Sequence, residues 1–141
     1  MEQPTAQGVK SDSASDPQAA ADRKVQGSIS NLSTSTLSLQ SQNLVHGKWI
    51  VNPPASLPPQ GSANFLATGR EATMLGIEGT IVYAAEDGAT FNLYFNDPYT
   101  QENSATITCS GTACGNYLPS VSQVPPGGHV ISPAYTINSQ R

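Results

Sequence analysis

Positive charge is scarce in this chain. Only six of its 141 residues are lysine or arginine, against ten acidic residues, and charged residues make up 11% of the whole. Because the few cations form no basic stripe, a groove for nucleic acid is disfavoured. No apolar run approaches the roughly 20 residues that a membrane-spanning helix needs. The first ten residues also lack the apolar core of a signal peptide.

Residues that carry out reactions are scarce as well. The chain has two histidines and contains no nucleophile elbow, phosphate-binding glycine loop or zinc-protease motif. The adjacent carboxylates Glu86 and Asp87 fall in a predicted turn, where they serve turn geometry and solubility rather than acid–base chemistry. We therefore expect a protein that is not an enzyme and that holds no cofactor.

Two cysteines, Cys109 and Cys114, flank a short predicted turn. Thiols at this spacing can form a disulfide if their Cβ atoms face each other. A disulfide would indicate an oxidising compartment, whereas two reduced thiols would suit a cytosolic chain, and the sequence leaves both open. A structural zinc site needs four ligands, and His46 and His129 are too distant in sequence to complete one, so no metal site is predicted.

Hydroxyl and amide side chains supply most of the polarity. Ser, Thr, Asn and Gln account for 48 of the 141 residues, and 12 Gly and 11 Pro interrupt the chain often. Such a composition excludes long helices. Short alternating runs between the breakers predict seven to nine strands, an all-β protein folded as an antiparallel sandwich or barrel. Apart from Met1, residues 1–24 contain one Val and no other large aliphatic or aromatic residue, so they are predicted to be a disordered or processed tail before a folded domain at 25–141.

The clearest local signal is a hairpin centred on Asp87-Gly88. This dipeptide between two alternating runs favours a two-residue type I′ turn, which would place Ala84 opposite Phe91 and Val82 opposite Leu93.

The few aromatic residues divide into predicted core and predicted surface positions. We predict core positions for Phe65, Phe91 and Phe95, and a ring-and-hydroxyl surface formed by Tyr83, Tyr94 and Tyr99.

Ordered short motifs resemble the aegerolysin family and related small bacterial insecticidal crystal proteins. The similarity runs from about residue 25 to about residue 107. It rests on a first-strand segment at Ile29–Leu37, a Gly-Lys-aromatic step within Leu44–Trp49, the Gly69-Arg70 pair, a Glu-Gly step within Gly76–Gly79, and a Pro-aromatic step within Tyr94–Thr100. His46, Phe95 and Tyr99 stand where the family has tryptophan, and Asp97 stands where it has cysteine.

This resemblance implies an actinoporin-like β-sandwich that binds membrane lipids, typically sphingolipids. A neutral or zwitterionic headgroup is expected, since clusters of Lys and Arg for anionic leaflets are missing. Relatives act as toxins, often with a larger pore-forming partner in haemolytic or insecticidal systems, and leave the cell without a signal peptide. The protein would then be secreted, or cytoplasmic until release, and peripheral on its target membrane. The expected lipid-binding residues are Trp49, Lys48, Arg70, Tyr94, Asp97 and Tyr99.

Other functions fit parts of the same pattern. Exposed Tyr and Trp rings also stack on sugars, so a carbohydrate-binding sandwich is one alternative, and a host-directed interaction protein without lipid binding is another. Arg70 has a structural interpretation as well, an ion pair with Glu71 or Glu78 that holds a loop in place.

Overall fold

The protein consists of two β-sheets packed face to face, which confirms the predicted all-β sandwich. The computed structural model describes residues 23–70 and 75–140. Within these ranges there are eleven strands and one 3-10 helix, η1 (Thr112–Asn116). The strands are β1 (Lys24–Leu32), β2 (Leu37–His46), β3 (Lys48–Val51), β4 (Ser56–Leu57), β5 (Ser62–Thr68), β6 (Ile77–Ala84), β7 (Thr90–Asp97), β8 (Ser104–Ser110), β9 (Tyr117–Ser122), β10 (Val130–Ile131) and β11 (Ala134–Ser139).

The strand order determines which loops meet. The first sheet has the order β3-β5-β1-β11-β9, with β10 also beside β1, and the second has the order β4-β2-β6-β7-β8. Neighbours are antiparallel, except that β1 runs parallel to β10 and β11. The start of β1 and the β2–β3, β5–β6, β7–β8 and β9–β10 connections therefore lie at one end of the sandwich. The β1–β2, β6–β7 and β8–β9 connections lie at the opposite end.

Bulky apolar side chains from both sheets fill the space between them. The ring centroid of Phe65, on β5, lies 5.4 Å from that of Phe95 on β7 and 6.4 Å from that of Tyr135 on β11. Gly27 lies opposite Phe65 on the neighbouring strand, and a Cβ at position 27 would lie only 2.1 Å from Cζ of that ring. The predicted core phenylalanines, including Phe91, are all buried.

The hairpin between β6 and β7 is present, but its predicted type I′ turn is wrong. Of the two central residues, Gly88 has a positive φ, +95°, and Asp87 does not. The Gly88 N–H donates to the carbonyl of Ala85 at 3.1 Å, and the Ala85 N–H donates to the carbonyl of Ala89 at 2.8 Å. This is a three-residue loop that ends in a left-handed glycine, the arrangement of a type I turn with a glycine bulge.

The additional loop residue shifts the register by one position, so the predicted pairing is wrong as well. Tyr83 pairs with Phe91 and Ile81 pairs with Leu93. Because side chains alternate along a strand, this shift turns the other face of β6 inward. Tyr83, predicted at the surface, is consequently fully buried, and its hydroxyl donates to the carbonyl of Pro54 at 2.6 Å.

Two prolines lie in the region of the last three strands, one within a strand and one between two strands. Pro133 separates β10 from β11. Pro119 lies within β9. An outermost strand tolerates proline because one side of its backbone needs no N–H donor, and β9 is outermost in its sheet.

The predicted tail falls mainly outside the described residues, which begin at residue 23. The two last residues assigned to that tail belong to the folded body instead. Lys24 opens β1, and Arg23 is buried.

Candidate functional site

All cations of the described residues lie at the end of the sandwich where β1 begins. Lys24 and Lys48 pair in register with Thr68 of β5 from its two sides. Arg70 follows β5 by two residues, and Arg23 directly precedes β1. We call this end of the sandwich, with Lys24, Lys48 and Arg70 exposed and Arg23 buried beneath them, the charged end.

Carboxylates accompany these cations. Glu78 on β6, Asp97 at the end of β7 and Glu102 in the following loop lie at the same end. The opposite end carries Glu86 and Asp87 and, among residues 23–70 and 75–140, no lysine or arginine. The charged end therefore presents both signs of charge at short range rather than a uniformly basic surface.

A buried ion pair lies beneath the charged end. Nη1 of Arg23 is 3.4 Å from Oδ1 of Asp97, and Nη2 donates to the backbone carbonyl of Tyr99 at 3.0 Å. The guanidinium carbon also lies 4.7 Å from the centroid of the Tyr99 ring, within the range of a cation–π interaction. Within the described part of the chain, Oδ2 of Asp97 and Nε of Arg23 have no hydrogen-bond partner.

The buried position of Asp97 alters the protonation of its carboxyl group. Burial raises the pKa of its carboxyl to about 7, although the charge and hydrogen bond of Arg23 act in the opposite direction. A buried carboxylate with one unpaired oxygen is costly. Burial therefore favours the neutral, protonated form of the Asp97 carboxyl, and this leaves the positive charge of Arg23 only partly compensated.

The Tyr94 and Arg70 side chains contact neighbouring loops and strands. The Tyr94 hydroxyl donates to Oε2 of Glu78 at 2.7 Å. Burial and the Glu78 carboxylate raise the pKa of Tyr94 to about 12, so it remains a neutral donor. Nε of Arg70 donates to the carbonyl of Gly47 at 3.2 Å, which ties the end of β5 to the β2–β3 connection.

Trp49 joins the charged end to the core. Its ring contacts those of Phe65 and Phe95 edge-on, with centroids 6.1 Å away in both cases. The side chain is only half-buried, and its neighbour Lys48 is exposed. Trp49 thus presents one part of an amphipathic ring to solvent, which suits a membrane–water interface.

Exposed aliphatic side chains surround the same end. Leu75 is 55% exposed and directly precedes Gly76 and β6. Other large exposed apolar residues near the β2–β3 connection and at β10 are Val45, Ile50, Val51 and Val130. Leu118 on β9, at the opposite end, is 53% exposed and stands apart from this group.

The six residues predicted to bind lipid come together at the charged end, although they are spread over residues 48–99 of the sequence. Lys48 and Arg70 reach the surface, and Trp49, Tyr94 and Tyr99 are half-buried. Asp97 was expected to contact lipid, but its side chain has no exposed surface and lies inside the protein. It can position Arg23 and Tyr99 but cannot itself touch a headgroup.

The predicted set of lipid-binding residues omits Arg23, Lys24 and Leu75, which also lie at the charged end. The predicted tail includes Arg23 and Lys24, although they immediately precede the alternating run that begins at Val25. Glu71, the possible partner of Arg70, lies outside the described residues. The other possible partner, Glu78, accepts its hydrogen bond from Tyr94 instead.

Cys109 and Cys114 form a disulfide that connects β8 to η1. In the structure, therefore, the two thiols that flank the predicted turn are bonded to each other. The described residues contain no group of three or more His, Cys, Asp or Glu side chains able to hold a metal ion. They also include no helix with the length and apolar character needed to cross a bilayer.

The chain is similar to one protein family in sequence and to several solved proteins in structure. The aegerolysin family model matches residues 23–113. Nakanori, a lipid-binding protein, is similar in structure with a TM-score of 0.69 at 10% identity, covering 82% of this chain and 71% of Nakanori. The protein RahU, crystallised with a Tris molecule, gives 0.70 at 16% identity, covering 86% and 98%.

A third similar structure is IP-1A from Alcaligenes faecalis, with a TM-score of 0.71 at 17% identity, covering 88% of this chain and 96% of IP-1A. At these identities the structural similarity establishes the fold. No curated protein matches the sequence significantly.

Proposed function

The chain belongs to the aegerolysin family, and from this premise we propose that it is a non-enzymatic protein that binds membrane lipids through its charged end. The observation that carries the proposal is the convergence of the exposed cations Lys24, Lys48 and Arg70, the half-buried Trp49 and several exposed aliphatic side chains on one surface. A lipid headgroup requires charged or polar contacts, and the adjoining acyl region requires apolar ones. The charged end offers both.

The balance of charge favours a zwitterionic headgroup. Lys24, Lys48 and Arg70 can pair with a phosphate, while Glu78 and Glu102 can attract a headgroup ammonium. Recognition of anionic leaflets relies on clusters of about four to eight Lys or Arg residues without opposing charge. The described cations are accompanied by carboxylates, so a headgroup that itself carries both signs is the better match.

We propose a sphingolipid as the target lipid. A sphingolipid carries an amide and a hydroxyl group just below the headgroup, and both can form hydrogen bonds with a protein at the interface. Exposed hydroxyl and amide side chains lie beside Tyr99, at Thr100 and Gln101. The family resemblance supports the same lipid class. It also supports a larger pore-forming partner that is recruited to the membrane after this protein has bound. It further supports release of the protein from the cell and peripheral binding to its target membrane.

Co-sedimentation with vesicles tests the lipid-binding surface. We expect the wild-type protein to pellet with phosphatidylcholine–sphingomyelin vesicles more than with phosphatidylcholine alone. Leu75→Asn removes an aliphatic anchor and should weaken binding about ten- to a hundredfold, because burying one leucine contributes about 1.5–3 kcal/mol. Leu118→Asn is the matched control, since Leu118 is equally exposed at the opposite end, and it should bind as the wild type does.

A second pair of variants tests the charges. Lys48→Gln should weaken binding severalfold, whereas Glu86→Gln, which removes one charge at the opposite end, should not.

Equal loss in Leu75→Asn and Leu118→Asn would place the lipid site elsewhere. Failure of the wild type to bind any sphingolipid or sterol mixture would overturn the proposal, and a glycan or a single protein captured in its place would favour the alternative functions.

A further inference from the structure

A polar cavity lies at the end of the sandwich opposite the charged end. It has a volume of about 260 Å³ and is open to solvent. Four separate segments line it: the β1–β2 loop, the β6–β7 turn, the junction of η1 with β9 and the end of β11. The lining side chains are Thr34, Asp87, Asn116, Tyr117, Ser139 and Gln140.

The carboxylate of Asp87 is held in position at the cavity. Its Oδ2 accepts hydrogen bonds from Nδ2 of Asn116 at 3.1 Å and from the Tyr117 hydroxyl at 2.9 Å, and its Oδ1 accepts from the Ala89 N–H at 3.3 Å. Partial desolvation raises the pKa of Asp87, but these hydrogen bonds outweigh it and keep that pKa below its usual range. Asp87 is therefore a fixed anion at neutral pH.

The wall that carries Asn116 and Tyr117 is tied down at both ends. The Cys109–Cys114 disulfide anchors η1 to β8, and the Gln140 N–H donates to the carbonyl of Asn116 at 2.7 Å. A wall held in this way loses little conformational freedom when a ligand binds.

Several polar groups in the cavity are not engaged by the protein. Within residues 23–70 and 75–140, no hydrogen bond involves the hydroxyls of Thr34 and Ser139 or the side-chain amide of Gln140. Each of these groups both donates and accepts. Together with Asp87 they form a convergent set of donors and acceptors without any cation.

We propose that this cavity is a second binding site, for a neutral sugar of monosaccharide size. Vicinal sugar hydroxyls both donate and accept, and they match the hydroxyl and amide groups of Thr34, Ser139 and Gln140. The fixed negative charge of Asp87 accepts hydrogen bonds from hydroxyls and repels phosphates and carboxylates. Since the volume lies just below the roughly 300–1,000 Å³ of sites for drug-sized ligands, one sugar ring fits better than an oligosaccharide.

The site is independent of the proposed lipid surface. With the charged end on a membrane, the cavity would face away from the bilayer, where it could bind a glycan without releasing the lipid. Sugar binding and vesicle binding can therefore be tested separately, and failure of one leaves the other unaffected.

Titration of the isotope-labelled, full-length protein with glucose, galactose, mannose and N-acetylglucosamine tests this site. We expect at least one sugar to cause saturable shifts of the backbone amide signals of Asn116 and Gln140 in NMR spectra. Asp87→Asn, which retains the shape of the side chain, and Gln140→Ala should each raise the Kd about tenfold. Lys48→Gln, at the charged end, should leave the Kd unchanged.

Three outcomes would overturn the proposal. One is the absence of saturable shifts with every sugar in the panel. Another is binding that Asp87→Asn and Gln140→Ala leave intact. The third is a stronger response of the same amide signals to phosphocholine than to the sugars, which would show an anion or lipid-headgroup site instead.

Discussion

Replacing Phe65 by alanine is expected to lower the free energy of unfolding by about 3–5 kcal/mol. Its ring is fully buried and contacts aromatic rings from both sheets, Phe95 on one and Tyr135 on the other. Removing it leaves a cavity at the centre of the sandwich that these neighbours can only partly fill. Chemical denaturation monitored by circular dichroism measures the loss, and Leu118→Ala at the surface should stay within about 0.5 kcal/mol of the wild type.

A double-mutant cycle makes this prediction specific to the packing of Phe65 on Gly27. Gly27→Ala alone should destabilise the protein by about 1–3 kcal/mol, because the added Cβ would lie 2.1 Å from the Phe65 ring. In the Phe65→Ala background that clash disappears, so the double variant should be more stable than the sum of the single losses predicts. Strict additivity would contradict the contact.

The second large effect is a loss of stability as the pH rises, caused by Asp97. Its pKa is raised from 3.8 to about 7 in the folded protein by burial, so the folded state binds more protons than the unfolded state between these values. Stability from this group is fully present below about pH 4 and is lost as the pH rises through 7, by at most about 4 kcal/mol. Denaturation midpoints measured from pH 4 to pH 8 should show this decline.

Asp97→Asn identifies the group responsible. The amide has the same shape but does not ionise, so the variant should lose most of the decline and be more stable than the wild type at pH 8. Glu102→Gln, which removes an exposed carboxylate from the same end, should retain the wild-type dependence on pH. A wild-type stability that rises between pH 5 and pH 8 would show that the ion pair with Arg23 outweighs the burial of Asp97.

Much of the architecture follows from local patterns. Alternating apolar residues, frequent Gly and Pro and the absence of helical periodicity predict the strands and the sandwich, because these patterns depend on near neighbours in the chain. The burial of Phe65, Phe91 and Phe95 follows in the same way. The register of the β6–β7 hairpin does not follow from local patterns, because Asp-Gly is compatible with both a two-residue and a three-residue loop. The difference of one loop residue decides which face of β6 is buried.

For the candidate site, the sequence alone was enough to show that cations are scarce, that short family motifs occur in order, and that residue types suited to a lipid headgroup are present. Only the tertiary structure decided that Arg23 and Lys24 join Lys48 and Arg70 at one end, because strand order and direction bring together segments that are far apart in the chain. It also placed Asp97 inside, paired with Arg23, and assembled a separate polar cavity at the opposite end. Contacts of this kind depend on packing between distant strands, which no local pattern encodes.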